Sequence, residues 1–389
     1  MPSSPRARDL GIVIGEGRPG PFNAITDVAG VRVGHTTLIE GDGPLVVGRG
    51  PIRTGVTVVV PHDGDVWAEP LFAGTATLNG NGELTGLEWI RESGLLTGAI
   101  GITNTNDVGK VRDALTMSAS AAHDPGSSYW ALPVAGETYD GQLSDIAGGH
   151  VHAEHVAAAL ARASGGPVAE GNVGGGTGMI CHEFKGGIGT ASRQVAADAG
   201  GWTVGVLVQA NYGRRGLLRV DGVPVGEEIP IDEVPTPWVT PRRGIGGATA
   251  RPAGSGSIIG LVATDAPLLP HQCARLARRI PLGIARVGGL GSTSSGDIFL
   301  AFATGNRGMP PTEAEAPGDG SIRLRGMVDR GIDPLFEATV EATEEAIVNA
   351  LVAAETMTGR DGNTAHRLPH DRLVEVMRAH GRLRGKPSA

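Results

Sequence analysis

Glycine constrains this chain more than any other residue. The sequence holds 63 glycines and 26 prolines in 389 residues, close to the share associated with low-complexity chains. These glycines nevertheless sit between periodic apolar segments, so they read as turn and close-approach residues rather than as a linker. Hydrophobic residues make up 40% of the chain, ample for a core, while aromatics are only 4%. Val, Ile, Leu and Ala must therefore do the packing. The length fits two domains or one large one.

Residues 55–61 (GVTVVVP) form a continuous β-branched run, the pattern of a strand buried on both faces. Residues 98–104, 202–211, 257–264 and 297–304 read as further strands. Helical spacing predicts helices over 84–93, 108–122, 151–163, 270–280 and 336–356. Between 165 and 193 glycines crowd around short apolar pieces. A long Pro/Arg/Gly connection runs from 221 to 255, and such a connection inside a packed domain is normally functional. Residues 382–389 read as a flexible tail. Strand runs separated by helices indicate α+β or layered α/β, with no internal repeat.

The net charge is −8 and no Lys/Arg run occurs, which argues against nucleic acid or an anionic membrane as the main partner. No stretch reaches the roughly 20 apolar residues of a membrane span, and the N-terminus lacks a signal-peptide core, so a soluble cytoplasmic protein is expected. Cys181 and Cys273 are too few for a disulfide framework and read as small buried residues. His150, His152 and His155 fall at a helix start without an HExxH pattern, so they read as capping or solvated histidines and no metal is expected. The glycine loops at 174–178 and 186–189 match neither a GxxxxGK[ST] loop nor a dinucleotide fingerprint.

Four places have the residue types for chemistry. At Gly254, Ser255, Gly256 and Ser257 a long loop ends on a hydroxyl that opens a buried strand. Such a junction is ordinarily a loop closing on small residues. Alternatively, it is a self-cleavage site, because glycine permits backbone strain and a freed Ser257 would carry a nucleophile and an amine base together. Ser295 and Asp297 precede the next strand, either as a Ser-rich turn or as a hydroxyl–carboxylate pair able to accept a proton. Asn211 ends a strand, where an amide could donate to an oxyanion or simply complete a turn. Glu137, Asp140 and Asp145 form an acidic cluster, one member of which could anchor an ammonium group.

Eight segments in order, NAITDVAGVRVGHTTL, RTGVTVVVP, LNGNGELTGLEWI, GITNTNDVGKVRDA, EGNVGGGTGMICHEFKGGIGTASR, VLVQANYG, GSGSIIGLVATDAPL and SGDIFLAFATGN, span about residues 23–306. Together they resemble the DmpA/BapA family of self-processing N-terminal-nucleophile aminopeptidases, which includes L-aminopeptidase/D-esterases and β-peptidyl aminopeptidases. The resemblance implies an α+β fold, a four-layer αββα sandwich of the DmpA/ornithine acetyltransferase type, as one domain over 1–389. It implies self-cleavage between Gly256 and Ser257 into chains 1–256 and 257–389, assembled as a tetramer of αβ heterodimers. It places the nucleophile on Ser257, the oxyanion amide on Asn211, the assisting pair on Ser295 and Asp297, and the substrate-amine carboxylate on Glu137, with no metal or cofactor. Some relatives carry Glu at the position of Asp297, and the preference between α- and β-residues stays open. The expected activity is hydrolysis of short peptides, amino-acid amides or esters from the N-terminus. Hydrolysis of non-peptide linear amides, acyl transfer to an amine and a non-catalytic ligand-binding role are the alternatives. The segments 236–253 and 309–320 match nothing in the family.

Overall fold

Alternation along the strands sorts the molecule into layers. The computed structural model describes residues 4–124, 126, 129–237, 254–311 and 318–384. Most of the 236–253 loop, the middle of the 309–320 segment and the end of the tail therefore lie outside the described residues. In chain order the strands of the first half are β1 (Arg32–Glu40), β2 (Ile52–Val60), β3 (Leu71–Gly80), β4 (Leu95–Leu96), β5 (Ile100–Asn104) and β6 (Val134–Thr138). A short hairpin, β7 (Ile180–Cys181) and β8 (Phe184–Lys185), precedes β9 (Gly187–Gln194), β10 (Thr203–Gly213), β11 (Gly254–Thr264) and β12 (Gly296–Ala303). The principal helices are α1 (Leu87–Ser93), α2 (Val108–Ser120), α3 (Ala153–Arg162), α4 (Val225–Glu228), α5 (Pro270–Ala277), α6 (Ile280–Arg286) and α7 (Asp333–Val352).

Two sheets result. One has the order β1-β2-β5-β6, the other β4-β3-β12-β11-β10-β9. The larger sheet is antiparallel except for the β11–β12 pair, whose parallel pairing requires a crossover that α5 and α6 supply. On β11, Ile259, Leu261 and Ala263 join Ile298, Leu300 and Phe302 of β12 and Ile100 and Ile102 of β5 in the core between the sheets. The intervening residues Ile258 and Val262, with Val204, Val206 and Val208 of β10, face the helical layer of α5, α6 and α7. Val56 and Val58 of β2 pack outward on α2 and α3. The layers are therefore helix, sheet, sheet, helix, the αββα sandwich that the family resemblance implies.

Close approach explains much of the glycine content. A Cβ on Gly189 of β9 would lie 1.9 Å from the Ala346 carbonyl oxygen of α7, so helix and sheet meet at backbone distance. The 165–193 region, read from sequence as glycine-rich pieces, thus contains a sheet strand. The predicted helix at 270–280 is two short helices, with α6 extending to Arg286, and the predicted helix at 336–356 begins and ends earlier, as α7.

Candidate active site

The polar residues gather where β10, β11 and β12 end or begin. In the antiparallel β10–β11 ladder Asn211 lies directly opposite Ser257, and beyond this pair the register slips, so that Gly213 faces Gly254. Two residues of β11, Ser255 and Gly256, thus run against one of β10, Tyr212, a bulge that re-aims the chain just before Ser257. Gly256 has a φ of +155°, and a Cβ there would stand 1.9 Å from the Asn211 carbonyl oxygen. No residue with a side chain fits this position without displacing β10. The Gly256–Ser257 link lies within β11.

Ser257 is buried, and its Oγ accepts the Gly296 N–H at 3.1 Å across the parallel β11–β12 pair. The Asn211 amide is fixed at both ends: Oδ1 accepts the Ile180 N–H at 2.8 Å, and Nδ2 donates to the Tyr139 carbonyl at 3.0 Å. An amide nitrogen carries two hydrogens, and Tyr139 takes one of them.

Ser295 Oγ donates to Asp297 Oδ1 at 2.5 Å, so the hydroxyl–carboxylate pair read from sequence is a direct contact. Burial pushes Asp297 up to about 6, against the lowering influence of the Ser295 hydroxyl and the Ile258 N–H. Its register partner is Ile258, which faces the helices, whereas Ser257 shares the intersheet face with Ile259. Asp297 therefore looks into a small cavity lined by Tyr212, Leu217, Ile284 and Leu290 on the helix side. Ser295 lines the same cavity.

Glu137 on β6 is buried, its Oε1 accepting the Glu83 N–H at 3.1 Å and its Oε2 the Thr105 hydroxyl. A Cβ on Gly82 would lie 2.8 Å from Glu137 Oε1 and 3.1 Å from Gly296 Cα, so only the thickness of a glycine separates this carboxylate from the start of β12. The other two acids of the cluster seen in sequence differ in their surroundings. Asp145 Oδ2 contacts His150 Nε2 at 2.9 Å and accepts the Gly48 N–H at 2.7 Å. Asp140 is fully buried, and that burial pushes it up to about 8.

His155 Nδ1 accepts the His152 N–H at 3.0 Å, which makes this pair a helix cap. Among the described residues no group of three or more His, Cys, Asp or Glu is placed to hold a metal ion, and no helix is long and apolar enough to cross a membrane. Cys181 and Cys273 are both free and buried, and burial pushes both thiols up, Cys181 to about 12.

Sequence reasoning passed over the loop that ties the parts together. Asn79 Nδ2 donates to the Ser292 carbonyl at 2.8 Å, and Asn81 Nδ2 to the Ser294 carbonyl at 2.8 Å. The available signal was the doubled Asn-Gly of LNGNGE, a turn marker whose side chains bond to backbone.

Known proteins match this chain over most of its length. The description of peptidase family S58 matches residues 23–365. The beta-peptidyl aminopeptidase BapA of Sphingosinicella microcystinivorans is 50% identical over 379 residues, 97% of this chain and 93% of that protein. Among solved structures, a beta-aminopeptidase from a Burkholderia species is 56% identical with a TM-score of 0.88, covering 97% of this chain and 99% of its own. The L-aminopeptidase D-Ala-esterase/amidase of Ochrobactrum anthropi, a prototype of the serine aminopeptidases and a variant of the Ntn hydrolase fold, is 42% identical with a TM-score of 0.85 over 97% of this chain and 99% of its own. With the αββα layering and a family match across most of its length, the chain is an aminopeptidase of the Ntn-hydrolase fold and belongs to peptidase family S58.

Proposed function

We propose that this aminopeptidase activates itself by cutting Gly256–Ser257 and then works with Ser257 as its nucleophile. The observation that carries the reading is the cross-strand pair of Asn211 and Ser257 beside a glycine that nothing else can replace. In the first stage Ser257 Oγ adds to the Gly256 carbonyl carbon. The C–N bond breaks, leaving an ester on Oγ and a free amine on Ser257. Water hydrolyses the ester to release the Gly256 carboxylate and restore the hydroxyl. In the second stage the α-amine, with an ordinary pKa of about 7.7–8.0, takes the Oγ proton as Ser257 attacks the substrate carbonyl. The Asn211 amide donates to the developing oxyanion. The bond to the leaving amine or alcohol breaks as that group takes up the proton, and water then hydrolyses the acyl-enzyme ester on Ser257 to free the carboxylate and restore the hydroxyl. Ser295 and Asp297 support proton transfer, and Glu137 accepts the substrate ammonium through a charge-assisted bond.

The substrates are short peptides, amino-acid amides and esters with a free amine. Similarity to a β-peptidyl aminopeptidase and a β-aminopeptidase supports acceptance of β-aminoacyl residues, which a panel of α-, β- and D-aminoacyl p-nitroanilides would rank. The same reading makes the enzyme cytoplasmic and a tetramer of αβ heterodimers, a state that light scattering on purified protein measures.

Denaturing mass spectrometry tests the central step. Purified protein should give masses for 1–256 and 257–389, and Ser257→Ala should give one full-length, inactive chain. Efficient cutting of Ser257→Ala at the same bond would refute the assignment.

A further inference from the structure

Lys185 ends β8 and is completely withdrawn from solvent. Its Nζ donates to three carbonyl oxygens, Gly186 at 2.7 Å, Met179 at 2.8 Å and Gly176 at 3.3 Å. Among the described residues no carboxylate pairs with it. An amine buried without a counter-charge is costly, and here burial lowers its pKa to about 7. An apolar side chain of similar length would avoid that cost, so the position of the amine calls for an explanation beyond filling space.

The Met179–Ile180 peptide unit supplies one. Its carbonyl accepts from Lys185 Nζ, and its N–H donates to Asn211 Oδ1 at 2.8 Å. Drawing electron density toward the carbonyl oxygen strengthens the N–H of the same unit as a donor. With Oδ1 held there, Nδ2 must point the other way, toward Tyr139 and the strand end where Ser257 lies. Without that hold, rotation of the amide by half a turn would exchange nitrogen for oxygen and present a lone pair where a donor is needed. We propose that Lys185 is a positioning residue for the reaction, fixing the orientation of the Asn211 amide through the single peptide unit Met179–Ile180. The proposal rests on the oxyanion role proposed above for Asn211.

A double-mutant cycle tests it, with turnover referred to active sites counted by an acylating inhibitor. Lys185→Met should lower kcat about tenfold to a hundredfold, part of the ~10²–10³ that loss of an oxyanion donor costs, with KM changed by less than about twofold. Lys185→Gln, which keeps an N–H donor of intermediate reach, should recover part of the loss, and it carries the cycle if Lys185→Met fails to fold. In an Asn211→Ala background the lysine substitution should have no further effect on kcat, a non-additivity that a merely structural lysine would not produce. Full kcat in Lys185→Met, or losses that multiply in the double variant, would overturn the lysine proposal alone. Unchanged kcat in Asn211→Ala itself would remove the oxyanion assignment, and the lysine proposal with it.

Discussion

Glu345 on α7 and Asp297 at the start of β12 are both withdrawn from solvent, yet their surroundings treat charge in opposite ways. Burial works to raise Glu345, but Arg193 and Arg8 outweigh it and hold the carboxyl below its ordinary range. Arg8 binds it at 2.7 and 2.9 Å, Arg193 at 2.7 Å and Asn23 Nδ2 at 2.5 Å. Asp297 has a hydroxyl and an N–H for company, and it rises to about 6. The first site fastens the N-terminal segment and β9 to α7 with a permanent charge. The second leaves its carboxylate able to change protonation near neutral pH, which a proton-handling group needs and a fastener does not. Depth of burial alone therefore distinguishes nothing; the presence of a cation does.

Three substitutions sharpen that contrast. Asp297→Asn should lower kcat by about 10²–10⁴, the range for losing a positioned acid–base group, and should flatten the wild-type fall in kcat below about pH 6. Because the folded pKa of Asp297 is raised, the folded state binds its proton more tightly, and stability declines as pH rises from the ordinary ~3.9 to about 6. The Asn variant should therefore melt no lower than wild type at pH 8; a large drop in Tm would make Asp297 a structural residue. Glu345→Gln should do the reverse. It takes this carboxylate from the buried Arg193, which keeps only Glu341, and from the partly exposed Arg8, at a cost of up to about 3–5 kcal/mol, read as a lowered melting temperature, while kcat per active site stays unchanged. The stability that Glu345 contributes is complete above its ordinary ~4.3 and is lost as pH falls through its lower folded value. The smallest effect is expected from Glu137→Gln. It should raise KM for free-amine substrates about tenfold, the weight of one charge-assisted bond, and spare kcat; an unchanged KM would move ammonium recognition elsewhere.

Sequence periodicity located β2, β5, β10, β11 and β12 because β-branched runs buried on both faces leave a strong signal. It missed β9, whose GIGTASRQ has too few apolar side chains, since its glycines exist to admit α7. Ser257, Ser295 and Asp297 were conspicuous because they sit at local junctions. The partnership of Asn211 with Ser257 was not legible from local pattern, because it depends on register across two strands joined by the long 221–255 connection. Lys185 gave a single signal, a lone cation within an apolar and glycine-rich run, and its meaning appears only when the Met179–Ile180 peptide is seen to face both it and Asn211.

The order β3-β12-β11-β10 within the larger sheet gives a cut at Gly256–Ser257 an uncommon outcome. β12 and the part of β11 from Ser257 onward would belong to the piece after the cut, and the strands on both flanks to the piece before it. Neither piece could then leave without tearing ladders on two sides, so their separation would be the unfolding of the whole molecule. Subunit exchange at working temperature should be negligible, and persistence in solution becomes a matter of the unfolding barrier rather than of an association constant. Once denatured, a severed pair would have to find each other by diffusion to refold, whereas an uncut chain need only find itself. The proposed cut would thus convert a unimolecular folding problem into a bimolecular one after it has been solved.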